Sequence, residues 1–399
     1  MQAIMMVAGK STRTYPLTLT RPKPLLPVLN KPSIYYNLDQ LVDIVQEVIL
    51  IVGYRKDMIQ ETLGSNYKGI KLTYVEQKEQ LGTGHAVLQA AHYVTDRCIV
   101  MNGDDLFAKS DIMKLLHFRY AALAMIVKDP SLYGVYQVND EGIVLNLVEK
   151  PKENIGNLAN VGCYLFDSSI FNELEKTPLS ERGEIELTSA VLNIARQQPF
   201  QVISLKEYWL PTGYPWDLLK TQTYFFEHNF DHIIDGHLEN SVELNGTLQL
   251  GHDSIIQESV TIEGPVCIGS NCVIGKSSKV GPHTTIGNNT QIGTRCQIEN
   301  SIIMGSSKIG NLCKISHSVL GERVNLGESC ILKHASKDHL TIKSKIKNQV
   351  IDTGLTNLGA TLGDDVLLAD HNQIEPGKKI WPKIKTKVGQ HIENDLMGN

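Results

Sequence analysis

The sequence of 399 residues lacks the cysteine spacing that is typical of zinc sites and disulfide frameworks. Its seven cysteines are odd in number, and none of them form a Cys-x-x-Cys pair. No stretch approaches the roughly 18 apolar residues of a membrane-spanning helix, and the apolar residues at 1–8 are too few for a signal peptide. We therefore expect a cytoplasmic protein without a membrane segment.

Positive charge is not in excess either. Lysine and arginine number 38 against 43 acidic residues, and the formal net charge is −5. A general nucleic-acid binder gains affinity by neutralising phosphates, so this balance argues against one. A small anionic ligand is compatible with it, because such a site needs only a few local cations. The length and the 42% hydrophobic content allow two or three domains with full cores.

The first half, residues 1–229, alternates apolar runs with helical patterns. This alternation predicts an α/β domain whose mixed, mostly parallel sheet is covered on both faces. Ser110 and Asp111 are predicted to cap the fourth helix. The predicted strands are 4–8, 48–53, 72–76, 98–102 and 162–167, with a hairpin turning at 139–142, and the predicted helices are 33–45, 58–63, 85–94, 111–120 and 184–198.

The second half, residues 230–399, is a six-residue repeat. This period predicts a parallel β-helix in which each aliphatic side chain points inward and stacks on its neighbours. A glycine often follows, as at Gly269 and Gly275, and is expected to permit the corner. Residues 332–350 break the period and are predicted to loop out. The repeated aliphatic residues are Ile256, Ile262, Ile268, Ile274, Val280, Ile286, Ile292, Ile298, Ile309, Ile315, Leu320 and Leu326, resuming at Leu362, Leu368, Ile374 and Ile380.

The repeat also accounts for most of the cysteines. Cys272, Cys296, Cys313 and Cys330 each fall four residues after a repeated aliphatic, at a small inward-facing position. We interpret them as small core fillers rather than metal ligands or redox groups.

The segment that follows the first predicted strand has the features of a phosphate-binding turn. Ligands of open parallel sheets bind at the carboxyl ends of strands, and backbone N–H groups there can point at phosphate oxygens. Arg13 and Lys23 would add positive charge. The turn is neither a Walker loop nor a Gly-x-Gly-x-x-Gly motif. Its residues are Ala8, Gly9, Lys10, Ser11 and Thr12.

The pattern Gly-x-[Gly/Ser]-Thr-Arg-x-x-Pro-Leu-Thr, with a later Pro-Lys, resembles the signature loop of the sugar-1-phosphate nucleotidylyltransferases. Further landmarks of that family follow in order at 76–86, 102–105, 133–134, 149–151 and 160–162. With its repeat, the whole chain resembles the archaeal-type bifunctional nucleotidylyltransferase/acetyltransferases. The resemblance implies a Rossmann-like domain followed by a left-handed β-helix, and relatives with such coils pack as homotrimers or dimers of trimers.

The implied reaction joins a sugar-1-phosphate to an NTP and releases pyrophosphate. By resemblance, residues 8–13 cradle the triphosphate, Arg13 contacts its β and γ phosphates, and Lys23 lies between the α-phosphate and the sugar phosphate. Asp104 binds Mg²⁺, an ion that prefers oxygen ligands. The base, uracil or thymine, is assigned to Gln77, Gly82 and Thr83, and the sugar, glucose or N-acetylglucosamine, to Gly134, Glu149, Lys150 and Asn160.

Two departures from the family pattern concern this reaction. Ser11 stands where glycine is usual in the family, and we expect this change to cause a modest loss of activity at most. Pro211 stands where many relatives have a second acidic metal ligand, and its side chain cannot coordinate. Asp105 and Asp217 are candidate substitutes, although Asp217 is also consistent with a helix-surface residue.

A third departure concerns the repeat. His317 matches the histidine of the family's acetyltransferase segment, but Leu320 stands where that segment has an aromatic residue. The later excursion lacks the asparagine-containing run that the family has there, although it contains the lysines Lys333, Lys337 and Lys343. We therefore expect an intact coil in which His317 is the remnant of an acetyltransferase site. Two alternatives stay open, a bifunctional enzyme and a non-catalytic subunit that binds a nucleotide sugar.

Overall fold

The computed structural model describes residues 1–336, 338 and 340–398, and the chain forms two compact units. The first unit comprises 1–10, 22–25 and 33–211, and the second comprises 11–21, 26–32 and 212–399. Two short early segments therefore pack with the repeat half of the chain. The domain boundary at residue 230 stays a prediction. Within the described ranges, no helix is long and apolar enough to cross a membrane.

The first unit is built on a ten-stranded mixed sheet. Its centre is parallel, with Cys98–Asn102, Gln2–Met6, Glu47–Val52 and Ile70–Glu76 side by side in that order. Leu158–Phe166 joins antiparallel to Cys98–Asn102 and extends the sheet. The remaining strands of the sheet are Asn66–Tyr67, Ala121–Ile126, Gly134–Val138, Val144–Glu149 and Gln201–Ser204, and a separate pair is formed by Asp105–Phe107 and Trp209–Pro211.

Alternate residues of the central strands enter two cores, one on each face of the sheet. Ile4, Ile49 and Val100 belong to one cluster, and Ala3, Val48 and Ile99 belong to the other. The period of two along a strand produces this division, and it confirms the prediction of a sheet covered on both faces. The α-helices of this unit are Ser33–Leu41, Lys56–Leu63, Thr83–Leu88, Lys109–Leu115, Ser169–Lys176 and Leu187–Gln197, and the 3₁₀ helices are Lys23–Leu25 and Pro130–Leu132.

Several predicted element ends are wrong. The first strand begins at Gln2 and ends at Met6, and the first, third and fourth helices end at Leu41, Leu88 and Leu115, several residues early. The fourth helix is preceded by Ala108, so Ser110 and Asp111 are not its cap. Asp111 is buried inside that helix, where it accepts hydrogen bonds from the backbone N–H groups of Lys206 and Glu207. A non-local partner therefore uses the carboxylate that we expected to act as a local cap.

The second unit is a left-handed parallel β-helix with three faces. It also contains the helix Asp217–His228, the 3₁₀ helices Thr12–Thr14 and Leu17–Leu19, and the small pair Pro27–Val28 and Lys31–Pro32. One face stacks Ile233–Ile234, Leu248–Leu250, Val266–Ile268, Thr284–Ile286, Ile302–Ile303, Val319–Leu320, Thr361–Leu362 and Lys379–Ile380. The second stacks His237–Leu238, Ile255–Ile256, Val273–Ile274, Gln291–Ile292, Lys308–Ile309, Asn325–Leu326 and Leu367–Leu368. The third stacks Glu243–Asn245, Thr261–Glu263, Lys279–Val280, Gln297–Glu299, Lys314–Ser316, Ile331–Leu332, Gln373–Ile374 and His391–Ile392.

The repeated aliphatic residues form one continuous core inside this coil, as predicted. The reason for the repeated glycines is different from the one expected. A Cβ on Gly269 would lie 2.2 Å from Asn288 Oδ1 of the next coil, so glycine is needed for close stacking. The left-handed backbone at the corner falls two residues later, on polar residues such as Asn271 (φ 56°) and Ser277 (φ 57°).

The small inward-facing residues do more than fill space. The Cys272 thiol donates to Gly287 O at 3.2 Å, and the Cys296 thiol donates to Gly310 O at 3.1 Å. Ser278 does the same with its hydroxyl, donating to Gly293 O at 2.9 Å. These bonds satisfy buried corner carbonyls that would otherwise be costly. The cysteines are buried as predicted, and their thiols have a structural hydrogen-bonding role.

The predicted excursion contains the hairpin Lys343–Ile346 and Gln349–Asp352, and Lys337 lies outside the described residues. Lys379 anchors the hairpin, because its Nζ donates to Lys345 O at 2.7 Å and lies 5.9 Å from the centre of the Trp216 ring. The side chain is buried, and burial lowers the pKa of Lys379 to about 8, although Asp395 opposes the shift.

We expect this lysine to make the stability of the second unit depend on pH. Between pH 8 and its ordinary pKa the unfolded chain binds more protons than the folded chain, so stability rises with pH in this window. Between pH 7 and pH 10, the free energy of unfolding of the wild type should increase by about 1–3 kcal/mol more than that of Lys379→Met, as measured by denaturant unfolding. The exposed control Lys387→Met should follow the wild type, and parallel curves for all three proteins would contradict the assignment.

Candidate active site

The first strand lies at the point where the order of the parallel sheet reverses. Gln2–Met6 has Glu47–Val52 on one side and Cys98–Asn102 on the other, the usual place for a ligand crevice at the strand ends. The backbone leaving the strand runs between two glycines. A Cβ on Gly53 would lie 2.9 Å from Ala8 O, and one on Gly103 would lie 2.3 Å from Val7 Cγ1.

The predicted phosphate turn divides between the two units. In the first unit, Ala8 is buried and its carbonyl accepts from Tyr54 N at 3.1 Å and Gln80 Nε2 at 2.8 Å, whereas Gly9 and Lys10 are exposed. The Ala8 carbonyl is thus committed to the protein, which fixes the path of the chain. Gly9 and Lys10, which follow Ala8, are the part of this segment that is open to solvent.

The rest of the turn belongs to the second unit. Ser11 has a left-handed backbone with φ 50°, which costs an L-residue about 1–2 kcal/mol. Its carbonyl compensates by accepting from Thr14 Oγ1 at 2.6 Å and Thr18 Oγ1 at 2.9 Å. Thr12 begins a short 3₁₀ helix, and the exposed Arg13 guanidinium lies 5.6 Å from the centre of the Tyr214 ring.

The structure brings the predicted catalytic lysine and the predicted metal ligand together in the first unit. Lys23 Nζ lies 2.8 Å from Asp104 Oδ2, although the two residues are 81 positions apart. Only 6% of the Lys23 side chain is exposed, against 35% of Asp104. A nearly buried ammonium is thereby held by a carboxylate that solvent and ligands reach.

The two candidate replacements for the acidic residue missing at Pro211 differ in their surroundings. Asp105 pairs with Pro211 across the small two-stranded sheet, and its Oδ2 accepts from Trp209 Nε1 at 3.3 Å. Burial, together with the neighbouring charge of Asp104, raises the pKa of Asp105 to about 7. Asp217, in the second unit, accepts from Tyr214 N at 2.8 Å at the start of its helix. Asp105 is therefore the candidate for a second metal ligand, whereas the Asp217 carboxylate holds the turn that precedes its helix.

The predicted base-reading residues form a compact turn. Gln77 is buried, and its Nε2 lies 3.3 Å from Gly82 O and 3.1 Å from His85 Nδ1. Gly82 has φ 102°, and a Cβ there would lie 2.7 Å from Ile185 O, so only glycine fits. Thr83 Oγ1 accepts from Leu187 N at 3.3 Å. These contacts hold the turn against the segment that precedes helix Leu187–Gln197.

A cavity of about 360 Å³ collects the predicted sugar-binding residues. Gly134, Glu149, Lys150 and Asn160 all line it, and so does Thr83. Asn160 is oriented by two hydrogen bonds, donating to Tyr164 Oη at 2.6 Å and accepting from Gly162 N at 3.1 Å. Asn102 also lines the cavity and hydrogen-bonds Asp105, which connects the cavity to the pair of aspartates.

Sequence reasoning missed three charged residues on the wall of this cavity, Arg182, Glu184 and Glu186. Arg182 Nη2 lies 2.6 Å from Glu186 Oε1, 3.4 Å from Glu184 Oε2 and 3.8 Å from Glu149 Oε1. The available signal was the charged run 181–186 in front of a predicted helix. The end of that run, from residue 184 onward, was assigned to the helix, which in fact begins only at Leu187.

The second unit holds a separate group of titratable residues around His317. Ser316 Oγ donates to Glu299 Oε1 at 2.8 Å and lies 2.9 Å from His317 Nδ1. Burial, followed by the neighbouring His334, lowers the pKa of His317. One ligand atom from each of Glu299, His317 and His334 falls within 4.8 Å of the others, so these residues could hold a metal ion.

A cavity of about 520 Å³ lies beside this group. It is lined by Glu299, Ser316 and His334 and by three lysines, Lys279, Lys314 and Lys333. Leu320, which replaces the expected aromatic residue, is fully buried in the coil core.

A buried arginine links the loop 11–21 to the β-helix. Arg21 Nη1 lies 2.8 Å from Glu322 Oε1, and Nη2 lies 2.7 Å from Asp364 Oδ2. Burial lowers the pKa of Arg21, and the two carboxylates more than offset this, so the net shift is upward. The guanidinium therefore stays charged and holds two successive coils and the loop together.

The arrangement in the first unit is that of a phosphate-transfer enzyme of the nucleotidyl transferase class. A family model described as nucleotidyl transferase matches residues 2–227, and the chain belongs to this family. A second model, described as a GMPPB C-terminal domain, matches residues 262–388.

Individual relatives match both halves. The bifunctional protein GlmU of Methanocaldococcus jannaschii is 35% identical over 400 residues, covering 100% of this chain and 96% of that protein. A bifunctional sugar-1-phosphate nucleotidylyltransferase/acetyltransferase of Sulfurisphaera tokodaii is 30% identical, covering 99% of this chain and 98% of that protein. The solved structure of a UDP-glucose pyrophosphorylase complexed with UDP-glucose is also similar, with a TM-score of 0.52 and 23% sequence identity. The match covers 57% of this chain and 98% of that one, and it supports the fold.

We expect Arg21→Gln to loosen the loop that the sequence pattern assigns to the triphosphate. Removing one partner of a buried ion pair costs about 3–5 kcal/mol, because the remaining charges are left uncompensated. Amide hydrogen exchange of residues 11–21 should quicken, and the KM for NTP should rise. Arg323→Gln is the matched control, because Arg323 contacts Glu322 and Asp365 but is 49% exposed, and an exposed pair contributes about 1 kcal/mol or less. Equal effects of the two changes would contradict the anchoring role.

Proposed function

We propose that this nucleotidyltransferase joins a sugar-1-phosphate to an NTP, giving an NDP-sugar and pyrophosphate. The observation that carries the proposal is the pairing of Lys23 with Asp104 beside a polar cavity at the carboxyl ends of the central strands. Names of the relatives that match the full chain agree with it. UTP or dTTP, with glucose-1-phosphate or N-acetylglucosamine-1-phosphate, are the favoured substrates, in nucleotide-sugar and cell-surface polysaccharide biosynthesis.

The chemistry is an in-line displacement at phosphorus. An oxygen of the sugar phosphate forms a bond to the α-phosphorus of the NTP, and the bond from that phosphorus to the bridging oxygen of the β-phosphate breaks. Pyrophosphate leaves with the electron pair, and no covalent protein intermediate is needed. Because two polyanions must meet, positioning is the main task, and it can contribute about 7–11 kcal/mol.

Lys23 is suited to reduce the repulsion between these anions. Its ammonium is a compact charge on a nearly buried stem, and its present partner Asp104 is partly exposed. We propose that Lys23 exchanges this contact for phosphate oxygens of the two substrates. Arg13, placed by the loop signature, would stabilise charge on the departing pyrophosphate.

Asp104 and Asp105 fit a divalent cation such as Mg²⁺. They offer only oxygen ligands, and burial, with the charge of Asp104 after it, raises the pKa of Asp105, a shift that a bound cation would oppose. When bound, the ion would supply positive charge to the phosphate oxygens. Asn102 would keep Asp105 oriented toward the site through their hydrogen bond.

The base and sugar assignments rest on the turn and the cavity. The small, rigid turn with Gln77, Gly82 and Thr83 supports recognition of a pyrimidine edge. The polar cavity with Gly134, Glu149, Lys150 and Asn160 supports binding of a hydroxylated ring. Trimeric assembly and a cytoplasmic location stay predictions.

A second activity, acetyl transfer to an amino-sugar phosphate, is favoured by the hydrogen-bonded series Glu299, Ser316 and His317. If the Ser316 hydroxyl donates to Glu299, His317 Nδ1 must donate to Ser316 Oγ, which leaves Nε2 as an acceptor. A neutral imidazole with an accepting nitrogen is a general base. The adjacent cavity has three lysines that would attract an anionic substrate. His317 would then be an active residue and not a remnant.

The first experiment is a pyrophosphate-release assay with UTP, dTTP, GTP, CTP and ATP against several sugar-1-phosphates, with Mg²⁺ present. We expect turnover with at least one pyrimidine nucleotide, and its loss when the cation is removed with EDTA. Nucleotide binding without turnover for any pair would refute the enzyme and favour a regulatory subunit that binds nucleotide sugars.

In the same assay, Lys23→Ala should lower turnover by about 10²–10³-fold, the usual effect of removing a group that stabilises transition-state charge. The matched control is Lys71→Ala, which removes an exposed lysine paired with Glu47 and should leave turnover unchanged. Circular dichroism would confirm that both variants fold. A near-normal rate for Lys23→Ala would contradict its role.

For the second activity, we expect acetyl-CoA to bind in calorimetry and the protein to acetylate glucosamine-1-phosphate. His317→Gln should abolish acetylation without affecting pyrophosphate release, since the residue lies in the β-helix unit. His371→Gln, an exposed change in the same unit, is the control. Failure to bind acetyl-CoA would exclude acetyl transfer.

A further inference from the structure

The guanidinium of Arg13, the residue assigned to the departing pyrophosphate, lies over an aromatic ring. Its central carbon is 5.6 Å from the centre of the Tyr214 ring, within the range of a cation–π contact. Contact with a ring face uses none of the N–H donors of a guanidinium, because these point outward in its plane. A carboxylate partner would occupy some of them. Arg13 is thus held in place while its donors stay available for phosphate oxygens.

The Tyr214 ring is itself supported by a second ring. Trp216 stacks on it, with the two ring centres 4.8 Å apart and the planes inclined by 12°. The backbone N–H of Tyr214 donates to Asp217 Oδ2 at 2.8 Å, which fixes the turn between the two rings and the helix that follows. Tyr214 is half-buried and Trp216 is buried. The stack therefore runs from the exposed guanidinium into the interior of the second unit.

The inner ring of this stack packs against the excursion that interrupts the repeat. Trp216, Ile342, Ile346 and Leu358 form one hydrophobic cluster, and Ile346 belongs to the first strand of the excursion hairpin. Lys379, which anchors that hairpin, has its Nζ 5.9 Å from the centre of the Trp216 ring. The regular repeats build the coil core, so the hairpin has a separate task. The cluster around Trp216 gives it one.

We propose that Tyr214 and Trp216 are positioning residues that act through Arg13 on the pyrophosphate half of the reaction, and that the excursion hairpin supports them. This inference rests on the proposed function and adds residues to it. A long arginine side chain loses rotamer freedom when it binds phosphate, and a ring that already restricts it lowers this cost before the substrate arrives. The stack should therefore affect the ligand that Arg13 contacts and no other.

The reverse reaction tests this selectivity, because pyrophosphate and the NDP-sugar made in the forward assay are then separate substrates. Tyr214→Leu should raise the KM for pyrophosphate about two- to tenfold, the range of a cation–π contact, and leave the KM for the NDP-sugar unchanged. Tyr214→Phe keeps the ring and should restore the wild-type values. Tyr224→Leu is the matched control, because it removes another half-buried ring of the second unit, one that stacks on His228.

A double-mutant cycle shows whether the ring acts through the guanidinium. In an Arg13→Ala background, Tyr214→Leu should cause no further rise in the KM for pyrophosphate, and additive effects of the two changes would overturn the inference.

The support from the hairpin is tested without removing either ring. Ile346→Ala should raise the KM for pyrophosphate in the same selective way, by less than Tyr214→Leu does. Val350→Ala, on the same hairpin but 67% exposed, should leave it unchanged. Equal effects of these two changes would contradict the role of the hairpin.

The outcomes separate this inference from the proposed function. A parallel rise in both KM values for Tyr214→Leu, or no rise in either, would overturn the inference and leave the proposed function intact. No turnover with any substrate pair would instead contradict the proposed function. Calorimetric titration with pyrophosphate and Mg²⁺ would then decide the inference, because Tyr214→Leu should weaken binding and Tyr214→Phe should not. Equal affinities for the wild type and Tyr214→Leu would overturn it.

Discussion

Close approach of backbone segments, possible only where a side chain is missing, shapes both units of this protein. At the active-site edge of the sheet, Gly53 and Gly103 leave room for the chain that exits the first strand. In the β-helix, Gly269 and its equivalents allow one coil to lie directly on the next. A methyl group at any of these positions would collide with backbone or with a fixed side chain. Both the crevice and the coil spacing depend on this constraint.

Charge is the second organising feature. In some clusters of charged side chains every charge is paired, and in others a carboxylate is left without a close cation. Lys23 and Asp104 neutralise each other, but Asp105 beside them is left with a raised pKa. In the cavity of the first unit, Arg182 Nη2 lies 2.6 Å from Glu186 Oε1 but 3.8 Å from Glu149 Oε1. By contrast, both terminal nitrogens of Arg21 are paired with carboxylates, Nη1 with Glu322 and Nη2 with Asp364. The complete group is structural, and the incomplete ones lie where substrates and a cation are expected.

Much of the fold could be predicted from the sequence, because its two periods are local signals. The six-residue repeat gives the coil core, and the apolar runs give the central strands within a few residues. Helix ends were missed because tertiary contacts decide them, as with Asp111, whose carboxylate serves the backbone of residues 206 and 207. Tertiary contacts also decide the position of residues 11–21, because Arg21 pairs with carboxylates of the β-helix that are 301 and 343 positions away in the chain.

Short motifs in the sequence mark one part of the candidate site, and the other part is brought together only by the fold. Lys23, Asp104, Glu149 and Asn160 lie in short signatures, and the structure places the last two on one cavity wall. Arg182 and Glu186 reach that wall from a loop whose position is set by the turn at 82–84, which no local pattern reveals.

The buried cysteines have a practical consequence. All seven thiols are buried, two in the first unit at Cys98 and Cys163, and five in the β-helix. Four of the coil thiols, Cys272, Cys296, Cys313 and Cys330, also donate to backbone carbonyls, so a water-soluble thiol reagent can reach them only after coils separate. The rate of chemical labelling, resolved by peptide mass, therefore reports the opening of each unit separately. The native sequence carries its own probes of local unfolding, without any engineered label.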